Sequence, residues 1–331
     1  MEIADLLSRY HSHPLVEQLT TAHGAKQNVA LGFNAAGGSH AAVLAAATYE
    51  RTGGMQFIIT NSKEEAAYIQ NDIEKLLPSV KSYFYPASYR RPYEVETTDN
   101  ANVLLRAEVL NHLSARRKAP ILISYPDALF EKVVTKKELE TNTLKVNLGD
   151  QLSLDFLNET LFEYQFERVD FVYEPGQFSI RGDIIDIYSF ANANPYRIEV
   201  FDNEVESIRL FDPVSQRSEK KVLRISILPN GQQNFTVEEQ VSLFQAIPSN
   251  TTLWINDVAM CLETVDEGMA KAIACYEKLD FDEEDFDEED SIRVHPQKRF
   301  ETSPRVKGHL EDIHLVEYQN DQHVIQAFLL I

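Results

Sequence analysis

"NVALGFNAAGGSH", residues 28–40, decides how the first part of the chain is read. A short apolar run leads into a loop holding Gly32, Gly37 and Gly38. An alanine-rich stretch, "SHAAVLAAATYERTGG" (39–54), follows it. Strand, tight turn and helix in that order form the repeating unit of a parallel α/β sheet. Gly32, Gly37 and Ser39 also hold the fixed positions of the phosphate-loop pattern G-x-x-x-x-G-K-[ST], but Gly38 stands where the lysine belongs. Such a loop cradles phosphates with backbone N–H groups at a helix N-terminus, and its lysine reaches the β- and γ-oxygens. Gly38 supplies no charge. Ser39 remains able to cap the helix, and the glycines serve the turn.

Working outward, "MQFIIT" (55–60), "KSYFYPAS" (81–88) and "APILISYP" (119–126) read as further buried strands. They alternate with "NSKEEAAYIQNDIEKLLP" (61–78), an Asn/Ser-capped helix ending at Pro78, and with "DNANVLLRAEVLNHLSARR" (99–117). Residues 1–25 read as helical, ending near "AHGAK". The texture changes near 130. "LDFLNETLFEYQF" (154–166) is a helix, and the runs after it carry turn signals at Pro175-Gly176, Asn194-Pro195 and Asp202-Asn203, which mark antiparallel hairpins. "VEEQVSLFQAIPSN" (237–250) reads as helix and turn, "TTLWIND" (251–257) as a buried strand, and "ETVDEGMAKAIACYEKL" (263–279) as a helix. The expected organisation is an α/β domain over 1–128, a small inserted α+β domain over 129–220, and a return to the first domain over 221–331. No motif can be placed in the last forty residues.

Nucleotide hydrolysis needs two acids at the end of a later buried strand, one near Mg²⁺ and one positioning water. "TTLWIND" ends in Asn256-Asp257, one carboxylate where two are wanted. The lysine of the loop and one acid of the strand are missing together. That combination favours a hydrolase fold kept as a scaffold, with no catalytic residues.

Composition bounds the rest. The 331 residues carry a net charge of −21, with 44% hydrophobic and 25% charged residues, as in an ordinary soluble globular protein. The acidic amphipathic start is not a signal peptide, and no run is long enough to span a membrane, so the cytoplasm is expected. Two cysteines, Cys261 and Cys275, are too few for a disulfide framework or a zinc site, and the histidines show no metal spacing. Neither metal nor cofactor is expected. A chain this acidic is a poor autonomous DNA binder, although Arg90, Arg91, Arg116, Arg117 and Lys118 form local basic clusters. "DFDEEDFDEED" (280–290) holds nine acids in eleven residues and reads as a solvated segment.

"IRGDIIDIYSF" (180–190), taken as one strand, puts Arg181, Asp183 and Ile185 on one face and Gly182, Ile184 and Asp186 on the other. Arg168, on the preceding segment, is placed to pair across with Arg181. Two arginines and an aromatic such as Tyr188 on one sheet face suit a protein-binding hot spot.

The longest distinctive pattern is "FSIRGDIIDIYSFANANPYRIEVFDNEVESIRLFDPVSQRS" (178–218), with RGD-x-x-DI followed by R-x-E-x-FD-x-E-x-x-x-x-R-x-FD. With "PYEVETTDNANVLLRAEVLNHL" (92–113) and "SLFQAIPSNTTLWIND" (242–257), it resembles the UvrB-like modules of UvrB and of the bacterial transcription-repair coupling factors, over roughly residues 25–260. The resemblance implies a RecA-like domain in two chain segments with a small domain inserted between them. UvrB keeps a working phosphate loop, and Gly38 and Asn256 put this chain on the coupling-factor side. "YFYPASYRRPYEVETTDNAN" (83–102) is too short for the long DNA-gripping hairpin of UvrB. The implied function is docking: the inserted domain recruits UvrA, the damage-recognition ATPase, through Arg168, Arg181 and Tyr188. A further family arginine is Ser179 here. RNA polymerase and double-stranded DNA would be engaged by domains beyond residue 331. The alternative is a UvrB-like ATP-dependent hydrolase with an atypical loop.

Overall fold

The computed structural model describes residues 3–25, 28–32, 39–88, 100–114, 119–134, 137, 141–189, 194–228, 240–278 and 294–319. The chain divides into two compact units. One comprises 1–97, 115–132 and 241–331; the other comprises 98–114 and 133–240. The second unit thus runs past the expected limit at 220 and takes in the helix of residues 100–114.

The first unit is a mixed α/β structure around a parallel sheet. Its early strands are β1 (Val29–Gly32), β2 (Gln56–Ile59), β3 (Ser82–Tyr85) and β4 (Ile121–Ser124). In β2 and β4 every residue is buried, as expected of strands covered on both faces. Between them run α3 (His40–Thr52) and α4 (Lys63–Leu76), after the N-terminal helices α1 (Ile3–His11) and α2 (Pro14–Ala25). The helical stretch expected over 1–25 is two helices, the second opened by Pro14. α3 buries Ala41 through Tyr49 without a break, because alanine lets a helix lie close on its neighbours. It ends at Gly53, whose φ of 65° is a left-handed cap donating to the Tyr49 carbonyl. The Ser62 hydroxyl caps α4 by accepting from Glu65 N–H, and Glu65 accepts in return from Asn61 N–H.

The second unit contains α5 (Asn100–Ser114), then β5 (Val133–Val134) and β6 (Leu144–Asn147), with α6 (Pro126–Leu129) preceding β5 in the first unit. The helix α7 (Leu154–Glu163) leads into β7 (Glu167–Arg168), β8 (Gln177–Arg181), β9 (Ile184–Ile187), β10 (Tyr196–Phe201), β11 (Glu204–Phe211), β12 (Ser218–Lys221) and β13 (Arg224–Ile227). Strands β8 to β12 form an antiparallel meander, and β7 adds to its edge in parallel. Asp202 and Asn203, both at positive φ, make the expected turn between β10 and β11. Leu157 and Leu161 of α7 pack with Phe178, Ile185, Ile187, Ile198 and Ile208, so one sheet face is a core.

The chain re-enters the first unit at β14 (Gln240–Val241). The helix expected over 237–247 reduces, among the described residues, to α8 (Leu243–Ala246) with a Ser242/Gln245 capping box. Then come β15 (Thr252–Ile255), α9 (Val258–Tyr276), α10 (Pro296–Arg299), α11 (Ser303–Asp312) and β16 (His314–Gln319). The sheet order is β1-β16-β15-β2-β4-β3, all parallel. The last residues described, which carry no readable motif, therefore supply an interior strand.

Candidate functional site

The run 180–190 is two strands. Gly182, at φ 60°, turns the chain between β8 and β9, and the register pairs Ser179 with Asp186 and Arg181 with Ile184. Arg181 and Asp186, expected on opposite faces of one strand, therefore share a face of the hairpin. Arg197 of β10 pairs with Asp186, and Arg209 of β11 pairs with Arg197. A row runs across four strands: Ser179, Asp186, Arg197, Arg209. Its side chains lie opposite the core formed by Phe178, Ile185, Ile187 and Ile198.

Asp186 is fully buried and holds two guanidinium groups. Arg197 donates from Nε to Oδ1 at 2.7 Å and from Nη2 to Oδ2 at 2.8 Å, a bidentate grip. Arg181 donates from Nη2 to Oδ2 at 2.5 Å. An isolated carboxylate here would be costly, so the pairing makes the burial possible. The hydrogen bond to Asp186 also pushes the Arg197 guanidinium above its ordinary value. Arg197 lies over the Phe211 ring at 4.5 Å and donates to the Gln216 carbonyl. Arg209, directly opposite Arg197, is answered by Glu199 at 2.8 Å, which offsets the like-charge contact.

Arg181 reaches the surface. Its Nη1 donates to the Asp170 carbonyl at 2.8 Å, and its guanidinium lies 5.0 Å from the Phe171 ring centroid. The Arg181 side chain is 37% exposed, whereas Arg197 keeps only 16%. Phe171 is 52% exposed, and Tyr173, two residues on in the same segment, 55%.

The other expected residues are placed differently. Arg168 is exposed on β7, and its register partner is Phe178, not Arg181. It makes no side-chain hydrogen bond or ion pair among the described residues. Tyr188 is buried with Val172 and Phe211, and burial raises its hydroxyl pKa. It lies under the 169–176 segment and is not displayed at the surface. The aromatic that does meet Arg181 at the surface is Phe171, for which the sequence gives no local signal, and Arg197 is likewise unmarked.

In the first unit, Gly32 ends β1 and Ser39 stands at the N-cap of α3 with no side-chain cap bond, contrary to the capping expected of it. Gly37 and Gly38 lie outside the described residues, as do Arg90, Arg91 and residues 116–118. Asn256 is buried past the end of β15, where its N–H donates to the Ile59 carbonyl. Asp257 caps α9, its Oδ1 accepting from Met260 N–H at 2.9 Å. Glu317 of β16 accepts from Val258 N–H at 2.9 Å. Two carboxylates thus occupy the first N–H groups of α9. Among the described residues no three His, Cys, Asp or Glu side chains are grouped to hold a metal, and no helix is long and apolar enough to cross a membrane.

Residues 144–232, which contain the whole charged face of β8 to β11, match the family model described as the UvrB interaction domain. The chain is also similar to curated transcription-repair-coupling factors. It is 32% identical over 227 residues to that of Bacillus subtilis, covering 68% of this chain and 19% of the relative. It is 32% identical over 144 residues to that of Myxococcus xanthus, covering 44% and 12%. It is 28% identical over 193 residues to that of Escherichia coli, covering 58% and 17%. The chain spans less than a fifth of the length of each of these relatives. Residues 144–232 thus carry a match to the UvrB interaction domain, within a chain similar to the transcription-repair-coupling factors.

Proposed function

We propose that this chain is the UvrB-like interaction module of a transcription-repair coupling factor, Mfd, and that it recruits UvrA to stalled RNA polymerase in transcription-coupled nucleotide excision repair. One observation carries the reading. The UvrB interaction domain match covers the sheet whose non-core face displays Arg181 beside the exposed Phe171 ring. Arg181 is the principal contact, Arg168 a second cation on the edge strand, and Tyr188 a support beneath. RNA polymerase, double-stranded DNA and ATP-driven translocation belong to other parts of the longer protein. In this reading the module works in the cytoplasm and needs no cofactor.

The first unit is a RecA-like scaffold with a vestigial phosphate loop, interrupted by the inserted domain. Its support is the strand order, in which β1, leading to the glycine loop, and β15, leading to Asn256-Asp257, end at the same sheet edge with β16 between them. Gly38 in place of lysine and the commitment of Asp257 to capping argue for a non-catalytic module.

Two measurements test the reading. A titration of UvrA should give an affinity that Arg168→Glu weakens less than Arg181→Glu does. Millimolar Mg·ATP should leave the melting temperature unchanged, since only a ligand that binds the native state raises it. A clear upward shift would favour the alternative, a nucleotide hydrolase.

A further inference from the structure

Arg181 is more constrained than a surface arginine needs to be. Its guanidinium is fixed from three directions: the Asp186 carboxylate, the Asp170 carbonyl and the Phe171 ring. Asp186 is itself locked by the bidentate grip of Arg197, and Arg197 is held by Phe211 and the Gln216 carbonyl. A free arginine loses rotamer entropy when it binds, and one already held loses less. Arginine has five N–H donors. Two are engaged here, so the others remain for an acceptor outside. Two guanidinium groups share one carboxylate, which leaves an uncompensated positive charge at the surface.

We infer that Asp186 and Phe171 are positioning residues for partner binding. They hold the Arg181 guanidinium in one orientation for a carboxylate on the partner. This rests on the proposed role of the face in binding UvrA. It adds that a fully buried acid, which cannot touch UvrA, sets the affinity through Arg181.

The test is a double-mutant cycle on UvrA affinity, using the full chain and purified UvrA. Arg181→Ala weakens binding at least tenfold and flattens its salt dependence. Asp186→Asn and Phe171→Ala, each alone, weaken binding about fivefold or more. In the Arg181→Ala background neither weakens it further, and with Arg181 present Phe171→Tyr keeps near-normal affinity where Phe171→Ala does not. Phe171 is exposed, so its variants carry the test even where Asp186→Asn fails to fold. If Phe171→Ala or Asp186→Asn keeps its full effect without Arg181, or has none with it, the positioning role is overturned. If Arg181→Ala itself binds UvrA normally, the reading of the face fails, and the inference falls with it.

Discussion

The two units treat their carboxylates in opposite ways. At the edge of the parallel sheet, Asp257 and Glu317 are engaged by backbone N–H groups at the start of α9. On the inserted sheet, Asp186 is buried and binds two arginines, one of which keeps donors at the surface. The first arrangement satisfies the fold and stops there. The second satisfies the fold and leaves an oriented cation on display. Buried charge by itself says little about function; what distinguishes the regions is which donors remain after the internal bonds are made.

The difference can be broken at its strongest point by Asp186→Ala. It leaves Arg181 and the half-buried Arg197 without their shared counter-ion, and should cost the inserted unit about 3 kcal/mol. Trp254 is the single tryptophan and is fully buried in the parallel sheet. In a urea titration the far-UV signal should therefore shift more than Trp254 fluorescence. Identical shifts of both signals would contradict a loss confined to the inserted sheet.

Asp257→Ala should cost less, about 1 kcal/mol, the ordinary value of a lost N-cap. Ser39→Ala, at a cap position without its bond, should stay within a few tenths of a kcal/mol. Chemical denaturation of the two variants side by side checks this. A Ser39 variant as damaging as the Asp257 variant would mean that the glycine loop still organises α3.

The parallel sheet also predicts a modest acid sensitivity. His23 lies 2.9 Å from the Thr252 hydroxyl, its ring edge-on to His314 at 5.5 Å, and burial lowers its pKa from 6.5. Below pH 6.5 the unfolded chain takes up a proton that folded His23 refuses. Its contribution is therefore complete above that pH and is lost as pH falls towards the lower folded value. The urea midpoint of wild type should drop more than that of His23→Gln between pH 7.5 and pH 5.5. An equal drop in both would assign the acid sensitivity elsewhere.

Much of this was legible in the residues. Strands buried on both faces, such as "QFII" and "ILIS", announce themselves by continuous apolar runs, and Asp202-Asn203 by turn chemistry. The strand β16 did not. "HLVEYQ" mixes charge and apolar residues, and only pairing with β1 and β15, far away in the chain, makes it a strand. The turn at Gly182-Asp183 was hidden inside an apparently continuous run, although a Gly-Asp pair between apolar segments is itself a hairpin signal. Missing it separated Arg181 from Asp186. A lone acid in "IIDI" was the available cue, since such a residue must find cations when buried. Which arginines answer it depends on register across three strands, which no local pattern encodes. Tyr188 was placed at the surface because a strand aromatic has two faces to choose from, and the 169–176 segment that covers it is an irregular loop.

The most direct test of the central claim is the affinity of UvrA for this chain carrying Arg181→Glu, measured beside wild type at the same salt concentration. Reversing the displayed charge should weaken binding at least tenfold, about 1.4 kcal/mol, while the melting temperature shows the variant folded. Undiminished binding by a folded Arg181→Glu variant would contradict the assignment of this face to UvrA.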